Sequence, residues 1–257
     1  MCLLVFALDA HPRYRLVFAG NRDEYHSRPT DPAGWWRDQP DVLGGRDLEA
    51  GGTWLAVSRG GRFGVVTNYR ELTDAGPAAR SRGALVADFA GSRATPAEFG
   101  AALAVNAHLY AGYSLILGDR DGLHYFSNRA PSLSPLDRGV HGLSNERLNT
   151  PWPKLERTRR RFEDLLASGE PEPDTLLGML ADRQPAADGD RPDTGLDPAL
   201  ERLLSAPFVV SPSYGTRSST VVLVDRADSV RFKERRFGPD GESIGASEFE
   251  FRSGVPQ

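Results

Sequence analysis

From Cys2 the chain runs through Leu3–Leu8 without a single charged side chain, turns at Asp9–Arg13, and continues in a second apolar run over Tyr14–Gly20. Seven residues are too few to cross a bilayer, and two short apolar runs separated by a polar turn predict a buried β-hairpin. No cationic leader or cleavage site flanks the first run, so it reads as a strand and not as a signal peptide. A chain that opens on a buried hairpin needs a layered core, and 257 residues suffice for one large one, read here as a single domain over 1–257.

Further short apolar runs predict strands at Thr53–Ser58, Arg62–Thr67, Tyr113–Gly118 and Leu123–Ser127. A late hairpin of Ser218–Asp225 with Ser229–Phe237 follows, and a last strand at Phe249–Phe251. Helical spacing appears at Arg82–Ser92, at Thr95–Asn106 with Thr95 as N-cap and Pro96 in the first turn, and at Pro151–Ser168. The last of these buries Leu155, Phe162, Leu165 and Leu166 and turns Arg157, Arg159 and Arg160 outward. Shorter helices are expected at Asp174–Ala181 and Asp197–Leu204, with a surface loop over Asp182–Asp197. Strands, then helices, then strands again indicate an α+β fold.

Charge and cysteine usage narrow the function classes. A net charge of -4 with interleaved signs offers no cationic face for a phosphate backbone, so nucleic acid is not an expected partner. No membrane insertion is expected either, and the oligomeric state is not legible. The single cysteine excludes an internal disulfide framework, which fits a reducing, cytoplasmic setting. Scattered histidines and one cysteine do not make a zinc site, so neither a catalytic metal nor a cofactor is expected.

That one cysteine is at position 2. Removal of Met1 would make it the first residue, and a free α-amino group, with a pKa of about 7.7–8.0, can take the thiol proton within the same residue. The plain alternative is a small buried hydrophobe beginning a core strand. Polar clusters at strand ends favour chemistry. Asn21-Arg22-Asp23-Glu24 follows Tyr14–Gly20, so the hairpin returns it to the neighbourhood of Cys2, where Arg22 could hold a thiolate and Asp23 the amine. Which of Asp23 and Glu24 meets the amine stays open. Asn68 and Asn145, each after an apolar run, could donate an amide to a developing oxyanion, and Arg217 could clamp a substrate carboxylate or phosphate. Asn21, Glu24, Trp54, Tyr69 and Tyr214 stand in or beside the same motifs as candidate substrate contacts. Trp35, Trp36, Trp54 and Trp152 could line an apolar pocket, although aromatic residues serve more often as core.

In these segments the chain resembles the transport and Golgi organization protein 2 family, also called the NRDE family. The matching residues are Met1-Cys2, Asn21–Glu24 with Ser27-Arg28-Pro29, Gly51-Gly52-Thr53-Trp54-Leu55, Thr67-Asn68-Tyr69 and Arg82-Gly83, then Gly142–Asn145, Thr150-Pro151-Trp152 with Lys154-Leu155, and Gly215-Thr216-Arg217. The family resembles the N-terminal-nucleophile hydrolases. That resemblance implies a four-layer αββα sandwich and an amidohydrolase or acyltransferase acting on a small-molecule amide, or a thioester, through Cys2, with Arg22, Asp23, Asn68, Asn145 and Arg217 completing the site. It also implies an alternative, a non-catalytic carrier of haem or of acyl-coenzyme A and other lipids, in which Cys2 or His26 would serve as a haem ligand.

Overall fold

The computed structural model describes residues 2–71, 79–191 and 193–254, and these fall into two compact units. The first comprises Met1–Ser27, Arg138–Ser144 and Leu148–Glu250; the second comprises Arg28–Asp137, Asn145–Arg147 and Phe251–Gln257.

The first unit is built on the predicted hairpin. Strand β1 (Cys2–Leu8) pairs antiparallel with β2 (Tyr14–Tyr25) from Cys2↔Arg22 to Leu8↔Leu16, with Asp9 in the left-handed region at φ 48° in the turn. Strand β2 does not stop at Gly20 as its polarity suggests. It runs on through Asn21–Tyr25 because it is a central strand, flanked by β1 and by β11 (Tyr214–Asp225), whose backbones fix the polar segment in the ladder. With β10 (Gly139–Leu143), β12 (Ser229–Phe237) and β13 (Ser243–Arg252), the sheet order is β10-β1-β2-β11-β12-β13. Strand β13 is longer than the predicted Phe249–Phe251.

Leu3, Val5 and Ala7 of β1, Val17 and Ala19 of β2, and Val221 and Leu223 of β11 share one core with Leu155 and Phe162 of helix α3 (Pro153–Ser168) and with Leu176, Leu177 and Leu180 of α4 (Pro173–Leu180). Alternation along a strand therefore places odd-numbered residues of β1 and β2 on the helix-covered face. Helix α3 begins at Pro153 and not at the predicted Pro151, because Trp152, held before a proline, is extended at ψ 135°. The helix α5 (Pro198–Leu204) completes the unit, with Asp197 Oδ1 accepting from the Ala199 and Leu200 amides.

The second unit is a seven-stranded antiparallel meander, β3 (Thr30–Trp35), β4 (Val42–Asp47), β5 (Leu55–Ser58), β6 (Phe63–Asn68), β7 (Tyr113–Asp119), β8 (Gly122–Ser127) and β9 (Ala130–Pro135), paired in chain order. Helices α1 (Arg82–Gly91) and α2 (Pro96–Asn106) cover it over a core that includes Leu85, Phe89, Leu103, Leu115 and Tyr113. Thr95 caps α2 as predicted, in a reciprocal box: its hydroxyl accepts from Glu98 N at 3.2 Å while Glu98 Oε2 accepts from Thr95 N at 2.8 Å. Helices α2 to α5 each start on a proline at N1 or N2, whose fixed φ suits that position.

The Gly51-Gly52-Thr53 and Arg82-Gly83 segments turn out to be one packing device. Thr53 N donates to Gly83 O at 3.1 Å, and a Cβ on Gly52 would lie 2.4 Å from the Gly83 carbonyl carbon. Only glycine lets the loop before β5 press against the first turn of α1. The two antiparallel sheets with helices match the α+β class expected from the sequence.

Candidate active site

The polar end of the first sheet positions the candidate residues by register. Cys2 stands opposite Arg22, and across β2 the partners on β11 are Ser219 for Asn21, Ser218 for Arg22, Thr216 for Asp23, Gly215 for Glu24 and Tyr214 for Tyr25. Arg217 is the extra residue of a bulge between Thr216 and Ser218. Alternation splits the motif: Asn21 and Asp23 take the helix-covered face, while Cys2, Arg22 and Glu24 share the other.

On the helix-covered face Asn21 is fully tied and Asp23 is held through one carboxylate oxygen. Asn21, 0% exposed, donates both amide hydrogens, to Leu180 O at 3.0 Å and Pro207 O at 2.9 Å, and accepts from Ser219 Oγ at 2.6 Å. Its side chain locks the sheet to the segments after α4 and α5, and no amide hydrogen is left for a ligand. Asp23 Oδ1 accepts from Thr216 Oγ1 at 2.7 Å, and Thr216 Oγ1 in turn accepts from Val209 N at 2.9 Å. The Tyr214 hydroxyl donates to Asp23 O at 3.2 Å. Burial pushes the Asp23 carboxyl above the usual carboxylate range, opposed by the charges of Lys154 and Arg22 and by the Thr216 hydroxyl.

The opposite face carries the thiol. Cys2 is buried, and its burial pushes the thiol pKa up; the Asp23 charge adds to this and the Arg22 guanidinium opposes it. Arg22 lies 3.7 Å from Glu24 Oε2, and its Nη1 is buried with no hydrogen-bond partner among the described residues. Arg217 Nη1 donates to Tyr25 O at 2.7 Å; burial and the Arg22 charge lower its affinity for a proton, and Glu24 opposes them. Two guanidiniums and one carboxylate thus leave this edge of the sheet cationic. The Ser144 hydroxyl fixes the other side of the Cys2 backbone by donating to Cys2 O at 3.2 Å.

Of the remaining candidates, His26 and Trp152 belong to the first unit, where Trp152 is core, and the rest belong to the second. Asn68 ends β6, and Asn145, at φ 58°, donates its amide to Asn68 O at 3.2 Å and accepts from Arg70 N at 2.6 Å. The two asparagines singled out by sequence are therefore joined to each other. Trp54 is buried there, and Tyr69 N donates to Gly112 O at 2.9 Å. Trp36 is core, with its indole nitrogen on Gly44 O, and Trp35 is stacked edge-on with Phe251 beneath the Arg59 guanidinium. Among the described residues no three His, Cys, Asp or Glu side chains are grouped to hold a metal ion.

Two residues gain weight that sequence reasoning gave them only as motif members. Thr216 orients Asp23, and Lys154 is a buried cation whose charge acts on it. A signal for Lys154 existed, since it stands with Leu155, Thr158 and Phe162 at helical spacing on the buried stripe of α3.

A family model described as Transport and Golgi organisation 2 matches residues 1–239. The mouse Transport and Golgi organization 2 homolog is 35% identical over 91% of this chain and 92% of its own length. The human Transport and Golgi organization protein 2 homolog is 34% identical over the same shares, and the Drosophila melanogaster protein of that name is 29% identical over 99% of this chain and 100% of its own. Two solved structures share the fold, that of N-terminal-nucleophile hydrolases. A Caenorhabditis elegans N-acylethanolamine-hydrolyzing acid amidase ortholog superposes with a TM-score of 0.52 at 14% identity, covering 86% of this chain and 92% of that one. The C2A mutant of conjugated bile acid hydrolase from Clostridium perfringens gives 0.54 at 9% identity, covering 97% and 92%.

Proposed function

The chain belongs to the Transport and Golgi organisation 2 family, and from that membership and the site on its first sheet we propose that it is an amidohydrolase or acyltransferase that cleaves a small-molecule amide, or a thioester, with Cys2 as nucleophile. The observation that carries this reading is the register Cys2↔Arg22 with Asp23 buried on the next position of the same strand. A core strand has no use for a thiol, a guanidinium and a carboxylate at one end, and burial of such charges is costly unless function retains them.

The chemistry begins with loss of Met1. The α-amine of Cys2 then takes the proton of its own thiol, which explains how a thiol raised by burial can react: the base arrives only with processing. The thiolate attacks the substrate carbonyl carbon, and the carbonyl electrons move onto oxygen. Collapse of the tetrahedral intermediate breaks the carbon–nitrogen bond, and the α-ammonium returns its proton to the leaving amine. Water, or an acceptor amine, then opens the thioester on Cys2. Arg22, on the thiol's own face, supports the thiolate; Asp23, held by Thr216, anchors the amine. The oxyanion role of Asn68 and Asn145 and the substrate contacts of Arg217, Glu24 and Tyr214 are part of the same proposal. One solved neighbour is named as an amidase and the other as a conjugated bile acid hydrolase, and the latter carries alanine in place of the cysteine at its position 2, which supports the assignment. Purified protein assayed against a panel of N-acyl amides and acyl thioesters tests it: Cys2→Ser is expected to lose turnover at least a hundredfold, and turnover unchanged in Cys2→Ser would end the proposal.

One observation favours the second reading, a carrier of haem or acyl-coenzyme A on the same fold: a buried thiol with a raised pKa is a poor nucleophile while Met1 is present. A carrier of acyl-coenzyme A binds its ligand equally well with Cys2→Ala and turns nothing over.

A further inference from the structure

A buried polar atom without a partner costs free energy unless something outside the chain meets it, so such atoms are few. Two of them are neighbours on the thiol's face of the first sheet. Arg22 is 8% exposed; its Nη2 lies 3.7 Å from Glu24 Oε2, whereas its Nη1 is buried with no hydrogen-bond partner among the described residues. Thr220 is 0% exposed, and its Oγ1 is buried and unpartnered in the same way. Register places them together. Ser218 pairs with Arg22 and Thr220 with Gly20, so Ser218 and Thr220 share the face of Arg22 and Cys2, while Ser219 between them turns to Asn21 on the helix side. Ser218 is itself buried, and its hydroxyl is tied to no other described residue. Paired Cβ atoms lie about 4.5–5.5 Å apart and diagonal ones about 7–8 Å, within the reach of an arginine. Gly20 carries no side chain into this patch, and a Cβ there would stand 3.0 Å from both Leu4 Cβ and Phe18 Cζ, so the floor is apolar.

We infer that Arg22, Ser218 and Thr220 form a seat for an anionic group, a carboxylate or a phosphate, about 5–10 Å across the sheet from Cys2. Arg22 Nη1 supplies the charge and one hydrogen bond, and the two hydroxyls donate the others. The neighbours on β12 bound the seat. Arg236, paired with Ser218, lays its guanidinium over Gly245 of β13, where a Cβ would be 2.3 Å from Nη2; Glu234, paired with Thr220, is a buried carboxylate that keeps an anion on the Arg22 side. Arg217, the bulge residue before Ser218, adds a second positive charge to this end of the sheet. The seat rests on the proposed hydrolase only for what carries the anion: its substrate is an amide or thioester bearing an acidic group beyond the scissile bond, not a wholly neutral one.

Binding without turnover tests the seat. The full chain is titrated with inorganic phosphate and, separately, with acetate, each against chloride at matched ionic strength, and the thermal midpoint is followed. The variants are Ser218→Ala, Thr220→Val and Arg22→Gln. A saturable rise in the midpoint is expected, with phosphate alone if the seat takes a phosphate and with acetate as well if it takes a carboxylate. Each variant is expected to weaken the apparent affinity about fivefold or more, the size of one lost hydrogen bond. Thr220→Val removes a hydroxyl that has no partner in the free chain, so its anion-free midpoint is expected to stay level or rise, which separates lost binding from lost folding. No saturable rise with either anion, or a rise that any soluble variant leaves unchanged, overturns the seat. If Arg22→Gln is insoluble, Ser218→Ala and Thr220→Val decide. Anion binding in a chain that cleaves no amide or thioester keeps the seat and removes the enzyme; cleavage without anion binding removes the seat alone.

Discussion

Replacing Thr216 by valine removes one oxygen and almost no volume, which makes it a sharp probe of how Asp23 is held. The hydroxyl, 1% exposed, donates to Asp23 Oδ1 at 2.7 Å and accepts from Val209 N at 2.9 Å. Valine takes a donor from a buried carboxylate and leaves the Val209 N–H without its acceptor. Each such loss costs about 1–3 kcal/mol, and the added methyl returns about 0.8 kcal/mol, so the net deficit is about 1–5 kcal/mol at pH 8. The deficit depends on pH in a definite direction. Asp23 has a folded pKa above its unfolded one, so the stability its proton supplies is fully present below the unfolded pKa and is lost as pH rises through the folded one. Losing a hydrogen bond to the charged form moves the folded pKa higher still, so the cost of Thr216→Val shrinks towards pH 4, where the neutral acid needs the bond less. Urea unfolding followed by tryptophan fluorescence at pH 4, 6 and 8 measures it, with Thr216→Ser as the variant that keeps the hydroxyl. A deficit below about 0.5 kcal/mol, the size of an ordinary surface substitution, or one that does not change with pH, would refute the reasoning.

Two further perturbations separate electrostatics from packing. In protein that retains Met1, Cys2 alkylation is expected to be slow at neutral pH and to accelerate only above the ordinary thiol range; Asp23→Asn shifts that midpoint downward by removing a charge that raises the thiol pKa, as a rate-versus-pH series will show. Gly52→Ala places a methyl 2.4 Å from the Gly83 carbonyl carbon, and because the obstacle is backbone the unit must shift, lowering stability by about 1–3 kcal/mol or more in thermal unfolding.

The sequence made the central strands and the helices legible, and for one physical reason: they bury apolar side chains at the period of their element. Strands β1, β5, β6, β7 and β8 are visible as apolar runs, and Pro96 after Thr95 marks the start of α2, whereas α3 to α5 open on Pro153, Pro173 and Pro198, one or two residues from the starts read from spacing. Edge strands escaped. Strand β3 contains Pro32 and Gly34 and has a register shift between Asp31 and Gly34, while β9 carries two prolines; an edge tolerates both because nothing pairs on one side. Strand β13, polar and half exposed, showed only its Phe249–Phe251 end. At the site, composition identified Asn21–Glu24 but not its two-faced use, because a charged tetrapeptide reads as a turn until both neighbouring strands are known. With the register in hand, alternation alone separates Asn21, a structural tie, from Arg22, which shares its face with the thiol. Lys154 is easily missed for the opposite reason: a lysine among arginines on a helix looks solvated, and its spacing with Leu155, Thr158 and Phe162 on the buried stripe of α3 is the one sign that it is not.

The most direct test of Cys2 as nucleophile is the intact mass of the native protein, taken before and after incubation with an activated acyl amide or thioester and quenched in acid. The predicted result is a chain lacking Met1 that gains one acyl group, with the adduct on Cys2 and absent from Cys2→Ala. A chain that keeps Met1 and gains no mass while the amide is still consumed, or an adduct that persists in Cys2→Ala, would contradict it.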